Sequence, residues 1–312
     1  MKGMELAKAY FEEYGIPMIE KNFAPYQGKI AAGLVGEGSE CLGYDDEFSQ
    51  DHDFGPGFCV WIPEDVYREI GNAMQAAYDS LPKTYRGFTR IQSAQADKRV
   101  GIFSLERFYQ KYTGLTHAPK DNLEWFRIPE SFLATAVNGQ VFRDPMGTFS
   151  QIRSILKDFY PLDVMKKKLA ARAAVMAQAG QYNYPRCMKR GDSYAAYLAC
   201  GEFVRAALSA IYLLNERYMP FYKWAFRGAD ELKILSGTVH ELKELVLLSD
   251  EMENRSRKEW LIEDICIEVG RELNRKGFTR TTDAFLQSHG EELMRSIRDQ
   301  RLSSLPIMVD CR

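Results

Sequence analysis

Hydrophobic periodicity changes character once along this chain, and that change constrains the fold more than any single motif. Up to about residue 148, short apolar runs alternate with amphipathic stretches. Ile30-Ala31-Ala32-Gly33-Leu34-Val35, Gly57-Phe58-Cys59-Val60-Trp61-Ile62, Arg99-Val100-Gly101-Ile102-Phe103-Ser104 and Gly139-Gln140-Val141-Phe142-Arg143 have the length and composition of strands. Between them the spacing predicts helices. One covers residues 2–14 and ends at Gly15-Ile16-Pro17; a second is opened by Pro63-Glu64-Asp65 and runs to about Leu81. Two more cover Leu105–Tyr112, stopped at Gly114, and Pro129–Val137. A helix over Phe149–Phe159 is broken by Tyr160-Pro161, and from there only helical patterns follow, over 162–180, 192–219, 228–249, 256–276 and 280–303. Such a chain reads as two domains: an α/β domain in 1–160 and a helical domain in 161–312. A length of 312 residues, about twice the usual domain, agrees with that division.

Charge narrows the partners. With 41 basic and 43 acidic residues the formal net charge is −2, so no global field draws the protein to nucleic acid or to an anionic membrane. The longest basic cluster, Lys166-Lys167-Lys168, reads as a solvated helix face. No stretch approaches eighteen uninterrupted apolar residues, so no membrane span is expected. The N-terminal stretch carries Glu5, Glu12 and Glu13 and reads as an amphipathic helix rather than a signal peptide. The 6 cysteines are scattered without a CxxC and the 4 histidines are dispersed, which argues against a zinc cluster and for a reduced, cytoplasmic setting. Cys200 and Cys266 lie in apolar helical contexts and read as core filler.

The chemistry concentrates in AGLVGEGSECLGYDDEFSQDHDFGPGFCVWI, residues 32–62. A strand candidate runs into a turn with Gly36, Gly38 and Ser39. Glycines there let the backbone approach a ligand and present N–H groups to a phosphate. Asp51-His52-Asp53 then precedes the next strand. In extended backbone the two carboxylates share a face, repel, and favour a divalent cation such as Mg²⁺ or Mn²⁺. His52 would point the other way and reads as structural; Asp45, Asp46 and Glu47 read as a solvated loop. In the second half, Arg190 and Asp192 lie in a glycine-flanked charged segment, where Asp192 also suits a helix cap. Arg217 and Lys223 flank aromatics around Pro220 and could neutralise phosphate. Glu202 is a candidate general base on the helix that follows Asp192.

Gly38-Ser39, eleven residues, then Asp51-x-Asp53 and an apolar strand resemble the signature of the DNA polymerase β-like nucleotidyltransferases. Arg99–Glu106 resembles a later sheet strand of the kanamycin and lincosamide nucleotidyltransferase branch. Val141–Gly147 leading into Ile152–Leu156 resembles the strand, turn and helix that close that branch's first domain. Gly180-Gln181-Tyr182-Asn183 with Arg190-Gly191-Asp192, and Leu214 through Trp224, look similar to an uncharacterised bacterial family, a domain of unknown function placed in the same superfamily. The likeness runs to about residue 235.

The resemblance implies an α+β fold, a nucleotidyltransferase-type mixed β-sheet domain with flanking helices followed by an all-α helical bundle. It implies a Mg-dependent nucleotidyltransferase moving a nucleoside monophosphate, AMP from ATP by default, to a small-molecule hydroxyl in the cleft between the domains, with loss of pyrophosphate. Gly36, Gly38 and Ser39 would hold the triphosphate; Asp51 and Asp53 would bind the metal; Arg190, Asp192, Arg217 and Lys223 would contribute to nucleotide binding; Glu202 would activate the acceptor. The superfamily's third carboxylate falls at Gly101, a departure that leaves Asp97, Glu106 or an acid of the helical domain to replace it. That departure keeps a second reading open, a nucleotide-binding regulatory protein or pseudoenzyme. Transfer to RNA or protein is a third reading, disfavoured for RNA by the neutral charge balance.

Overall fold

The computed structural model describes residues 1–50, 54–90 and 98–310. The fold is α+β, a small mixed sheet with many helices. The chain divides into two compact units, Met1–Ala118 with Phe132–Asp158, and Pro119–Ser131 with Phe159–Arg312. The single boundary read from the sequence near Pro161 therefore misses a short excursion, residues 119–131, that belongs with the later helices.

The first unit opens with α1 (Gly3–Tyr10), which passes through a π turn, Phe11–Gly15, into α2 (Ile16–Asn22). The expected stop at Gly15-Ile16-Pro17 does not occur. Proline lacks an N–H and crowds the carbonyl four residues back, and the wider π turn just before Pro17 absorbs both defects. Next come β1 (Ala31–Leu34), α3 (Ser39–Leu42), β2 (Cys59–Ile62) and α4 (Glu64–Asp79). A hairpin of β3 (Thr84–Tyr85) and β4 (Phe88–Thr89) follows, which periodicity could not reveal because each strand has 2 residues. Arg86 and Gly87, with φ of 48° and 82°, make the tight hairpin turn that twisted strands favour. Then come β5 (Gly101–Ser104) and α5 (Leu105–Thr113), closed by left-handed Gly114 as expected. Past α6 (Asn122–Phe126), which belongs to the second unit, α7 (Glu130–Val137) returns the chain to the first, and β6 (Gln140–Arg143) and α8 (Thr148–Lys157) complete it.

All four strands anticipated from the sequence enter one sheet, ordered β5-β2-β1-β6. β1 is antiparallel to β2 and β6, while β5 is parallel to β2. The register places Gly33 opposite Cys59 and Cys59 opposite Gly101. The exit of β1 and the entries of β2 and β5 therefore share one end of the sheet. Both faces are covered, which explains the continuous apolar runs. Val60, Ile62 and Ile102 pack with Leu6, Phe11, Ile19 and Met74 on one face. On the other, Trp61 stacks on Phe149 with ring centroids 3.9 Å apart, bordered by Phe108.

The second unit is helical. α9 (Leu162–Met176) runs through a π turn, Ala177–Asn183, into α10 (Tyr184–Lys189), and α11 (Ser193–Leu214) follows. The helix expected over 192–219 stops at Leu214 because Asn215 folds its side chain onto the Ile211 and Ile234 carbonyls and accepts from Ile234 N–H. The pattern over 228–249 resolves into α12 (Tyr222–Ala229) and α13 (Ser236–Leu247), broken at left-handed Leu235. α14 (Arg255–Arg275) matches expectation, and 280–303 divides into α15 (Leu286–Arg295) and α16 (Gln300–Ser303). α11 is long and apolar enough to cross a membrane, but 67% of that stretch is buried within the protein, as a core helix would be.

Lys167 and Lys168 overturn the solvated-face reading: both are fully buried. Lys167 donates to the Ile307 and Val309 carbonyls at 2.9 and 2.6 Å, and Lys168 pairs with Asp310 at 2.9 Å. Lys166 donates to the Ser296 carbonyl at 3.1 Å. The C-terminal segment thus supplies the acceptors that let α9 bury cations. Cys200 and Cys266 are buried, in keeping with core filler, and the described cysteines are free thiols.

Candidate functional site

The turn that leaves β1 is the best-defined feature at the shared end of the sheet. Gly36 and Gly38 have φ of 125° and 124°, conformations that side chains rarely adopt. Gly36 is pinned on both sides by one amide: its N–H donates to Asn138 Oδ1 at 2.9 Å and its carbonyl accepts from Asn138 Nδ2 at 2.7 Å. Buried Arg153 in turn donates to the Asn138 and Gly139 carbonyls at 2.7 and 2.9 Å, fixing the anchor. Ser39 begins α3, a single turn whose Cys41 N–H already donates to the Gly38 carbonyl at 3.2 Å.

Arg99 enters beside this turn because β5 runs parallel to β2 and begins at the same end. Its guanidinium donates to the Glu37 carbonyl at 2.7 Å and to Glu40 Oε1 at 2.9 Å. A methyl at position 38 would overlap Arg99 Nη2 and come within 2.5 Å of Glu40 Oε2. Glycine at 38 is thus demanded by backbone angle and by space together. Lys111 of α5 pairs with Glu37 at 3.1 Å. Sequence reading passed over Arg99, Lys111, Glu37, Glu40 and Asn138. The usable signal was Arg99 at the head of an apolar strand, where a basic residue is drawn in only if a partner waits.

Asp51, His52 and Asp53 lie outside the described residues, as does Asp97. Among the described residues no group of three or more His, Cys, Asp and Glu is placed to hold a metal ion. Gly101, at the position of the superfamily's third acid, has φ 117°, and an added side chain would meet Lys98 Cε at 2.6 Å and Gln75 Oε1 at 2.9 Å. Glu106 accepts from Ser104 Oγ at 3.2 Å at the start of α5. Asp45 is buried, contrary to the solvated-loop reading, because its carboxylate accepts from the Gly3 N–H at 2.8 Å and caps α1. Asp46 caps a short 3-10 turn by accepting from Ser49 N–H at 3.0 Å. Burial pushes the Cys59 thiol up to about 12 and that of Cys41 well above its usual value, so neither is a nucleophile at neutral pH.

In the second unit a cavity of about 580 Å³ is lined in part by Glu130, Arg172, Glu202, Arg205 and Asp310. Glu202 is exposed and pairs with Arg205 at 2.9 Å. Arg190, Asp192, Arg217 and Lys223 do not line that cavity. Asp192 caps α11, accepting from Ala195 N–H at 3.0 Å. Arg190 and Arg217 are exposed, and Lys223 lies over the Trp224 ring at 5.2 Å. Gly180 is there for packing, since a methyl would meet the Phe203 ring.

No curated protein and no solved structure matches the chain. Residues 125–225, about a third of the chain running from α6 into α12, match a family model described as a domain of unknown function, DUF4037.

Proposed function

We propose that the chain is a Mg²⁺-dependent nucleotidyltransferase that moves AMP from ATP to a small-molecule hydroxyl and releases pyrophosphate. The observation that carries this is the β1 turn: two positive-φ glycines and the start of α3, held by Asn138 and Arg99, at the sheet end that β2 also enters. In the reaction the acceptor oxygen bonds to the α-phosphorus, the bond to pyrophosphate breaks, and the hydroxyl proton passes to a general base. Turn amides and the Ser39 hydroxyl would hold phosphate oxygens in line, so the chain contributes positioning and charge stabilisation rather than covalent chemistry. A divalent cation would rest on Asp51 and Asp53. Glycine at 101 would add no carboxylate to that pair, and Mg²⁺ tolerates few protein ligands because it keeps waters and substrate phosphates. Bound there, the cation would neutralise charge on the phosphates.

Pyrophosphate release from ATP and Mg²⁺ across a panel of hydroxyl compounds tests the proposal. Asp51→Asn and Asp53→Asn should each lower turnover by orders of magnitude; full turnover in either variant refutes it. Glycine at 101, with Lys98 and Gln75 over it, favours a second reading, nucleotide binding without transfer. Tight ATP binding with no pyrophosphate from any acceptor would select that reading. The proposed setting is the cytoplasm.

A further inference from the structure

A small cavity of about 120 Å³ opens between β5 and α5 in the first unit, and its charge is one-sided. Lys98, Arg99, Arg107 and Lys111 line it together with Ser104 and Tyr112, and among the described residues no acid does. Three of the cations have carboxylate partners outside the cavity: Arg99 with Glu40 at 2.9 Å, Arg107 with Glu64 at 2.6 Å and Lys111 with Glu37 at 3.1 Å. Lys98 donates to the Gln75 amide oxygen and has no carboxylate within 4.0 Å among the described residues, Asp79 acting on it from further away. Among the described residues four cations line the cavity, and three of them are paired with a carboxylate within 4.0 Å. Cavities that hold a whole nucleotide-sized ligand measure roughly 300–1,000 Å³, so this one has room for a phosphoryl group or two and not for a base or sugar. Arg99 belongs to both places: it lines the cavity and holds the Glu37-Gly38 turn.

We infer that this cavity binds the terminal phosphates of a nucleoside triphosphate whose remaining phosphate lies at the Gly38-Ser39 turn. The inference rests on the nucleotidyltransferase reading for the identity of the ligand, though the basic lining stands without it. Lysine and arginine heads around a narrow pocket hold phosphate oxygens through charge-assisted hydrogen bonds. The same chemistry could come from a phosphorylated acceptor, which would need one phosphate and no turn.

The test is calorimetric titration of the full chain with ATP, inorganic tripolyphosphate, AMP and inorganic phosphate, on wild type, Lys98→Gln, Lys111→Gln and Lys111→Arg. Circular dichroism of each variant confirms folding. ATP and tripolyphosphate should lose about tenfold in affinity in each Gln variant, AMP should change little, and Lys111→Arg should bind like wild type. Unchanged tripolyphosphate affinity in both Gln variants, or no binding by wild type, overturns the inference. AMP or inorganic phosphate weakened as much as ATP also overturns it, in favour of a monophosphate. If tripolyphosphate behaves as expected while no acceptor yields pyrophosphate, the site stands and nucleotidyl transfer falls. If pyrophosphate release in the Gln variants keeps the wild-type KM for ATP, transfer stands and the site falls.

Discussion

Gly38→Ala should loosen the first unit far more than an alanine at a neighbouring glycine. Gly38 has φ 124° and ψ 145°, a region occupied almost only by glycine, where another residue costs about 1–3 kcal/mol. The added methyl also overlaps Arg99 Nη2 and crowds Glu40 Oε2, so a largely shielded ion pair must part, at about 1.5–3 kcal/mol. Partial relaxation leaves about 3 kcal/mol as the expected loss. A whole-chain melt followed by tryptophan fluorescence would blur this, because Trp125, Trp224 and Trp260 lie in the second unit and only Trp61 in the first. Hydrogen exchange of peptides covering β1 and β2 reads the first unit directly, and about 3 kcal/mol corresponds to roughly a hundredfold faster exchange. Gly43→Ala is the control: φ is 77° with open space around it, so only the left-handed cost of about 1 kcal/mol applies. Arg99→Ala combined with Gly38→Ala should cost less than the two singly, because the clash disappears with the guanidinium. Exchange in Gly38→Ala no faster than in Gly43→Ala, or full additivity with Arg99→Ala, would refute the described packing.

Asp310→Ala strips the carboxylate from fully buried Lys168 and from Arg172 and should destabilise the second unit by about 3–5 kcal/mol in denaturant titrations; Lys168→Met in that background should recover much of the loss, and no recovery would count against the pair. Glu241 is pushed up from 4.5 to about 7, mainly by burial and then by the Asp264 carboxylate. Its contribution to stability is therefore full below about pH 4.5 and is lost as pH rises through about 7. Glu241→Gln should raise Tm at pH 8 and change it little at pH 5, and an equal shift at both values would remove the cause.

Local pattern reported what local physics decides. β1 and β2 were legible because both faces are buried, so their runs are apolar without alternation and end at glycine or proline. Gly114 and Asp192 were legible because caps act within a few residues. Helix ends were misread where something distant intervenes. α1 runs past Pro17 because a π turn accommodates it, and α11 stops at Asn215 because Ile234 offers a carbonyl 19 residues away. Lys167 was misread for the same reason at greater range: its acceptors lie 140 and 142 residues on. A basic triplet looks solvated until the chain end that satisfies it is folded back.

The candidate site divides along that same line. Gly36 and Gly38 could be proposed from sequence because positive φ is a property of one residue. Arg99 could not, because its role depends on β5 lying parallel to β2, which brings residue 99 beside residue 38 and onto Glu40, 59 positions away. The turn by itself decides little between structure and binding, since Asn138 and Arg99 already satisfy much of its backbone. Charge decides more. In the second unit buried cations are met inside the fold, Lys168 and Arg172 by Asp310 and Glu130 and Lys167 by the Ile307 and Val309 carbonyls. Around Arg99 the described residues leave Lys98 with no carboxylate within 4.0 Å, lining a cavity of phosphoryl size. A cavity lined by four cations and, among the described residues, by no acid, sharing Arg99 with a turn of two positive-φ glycines, suits a polyphosphate better than a fold that binds nothing there.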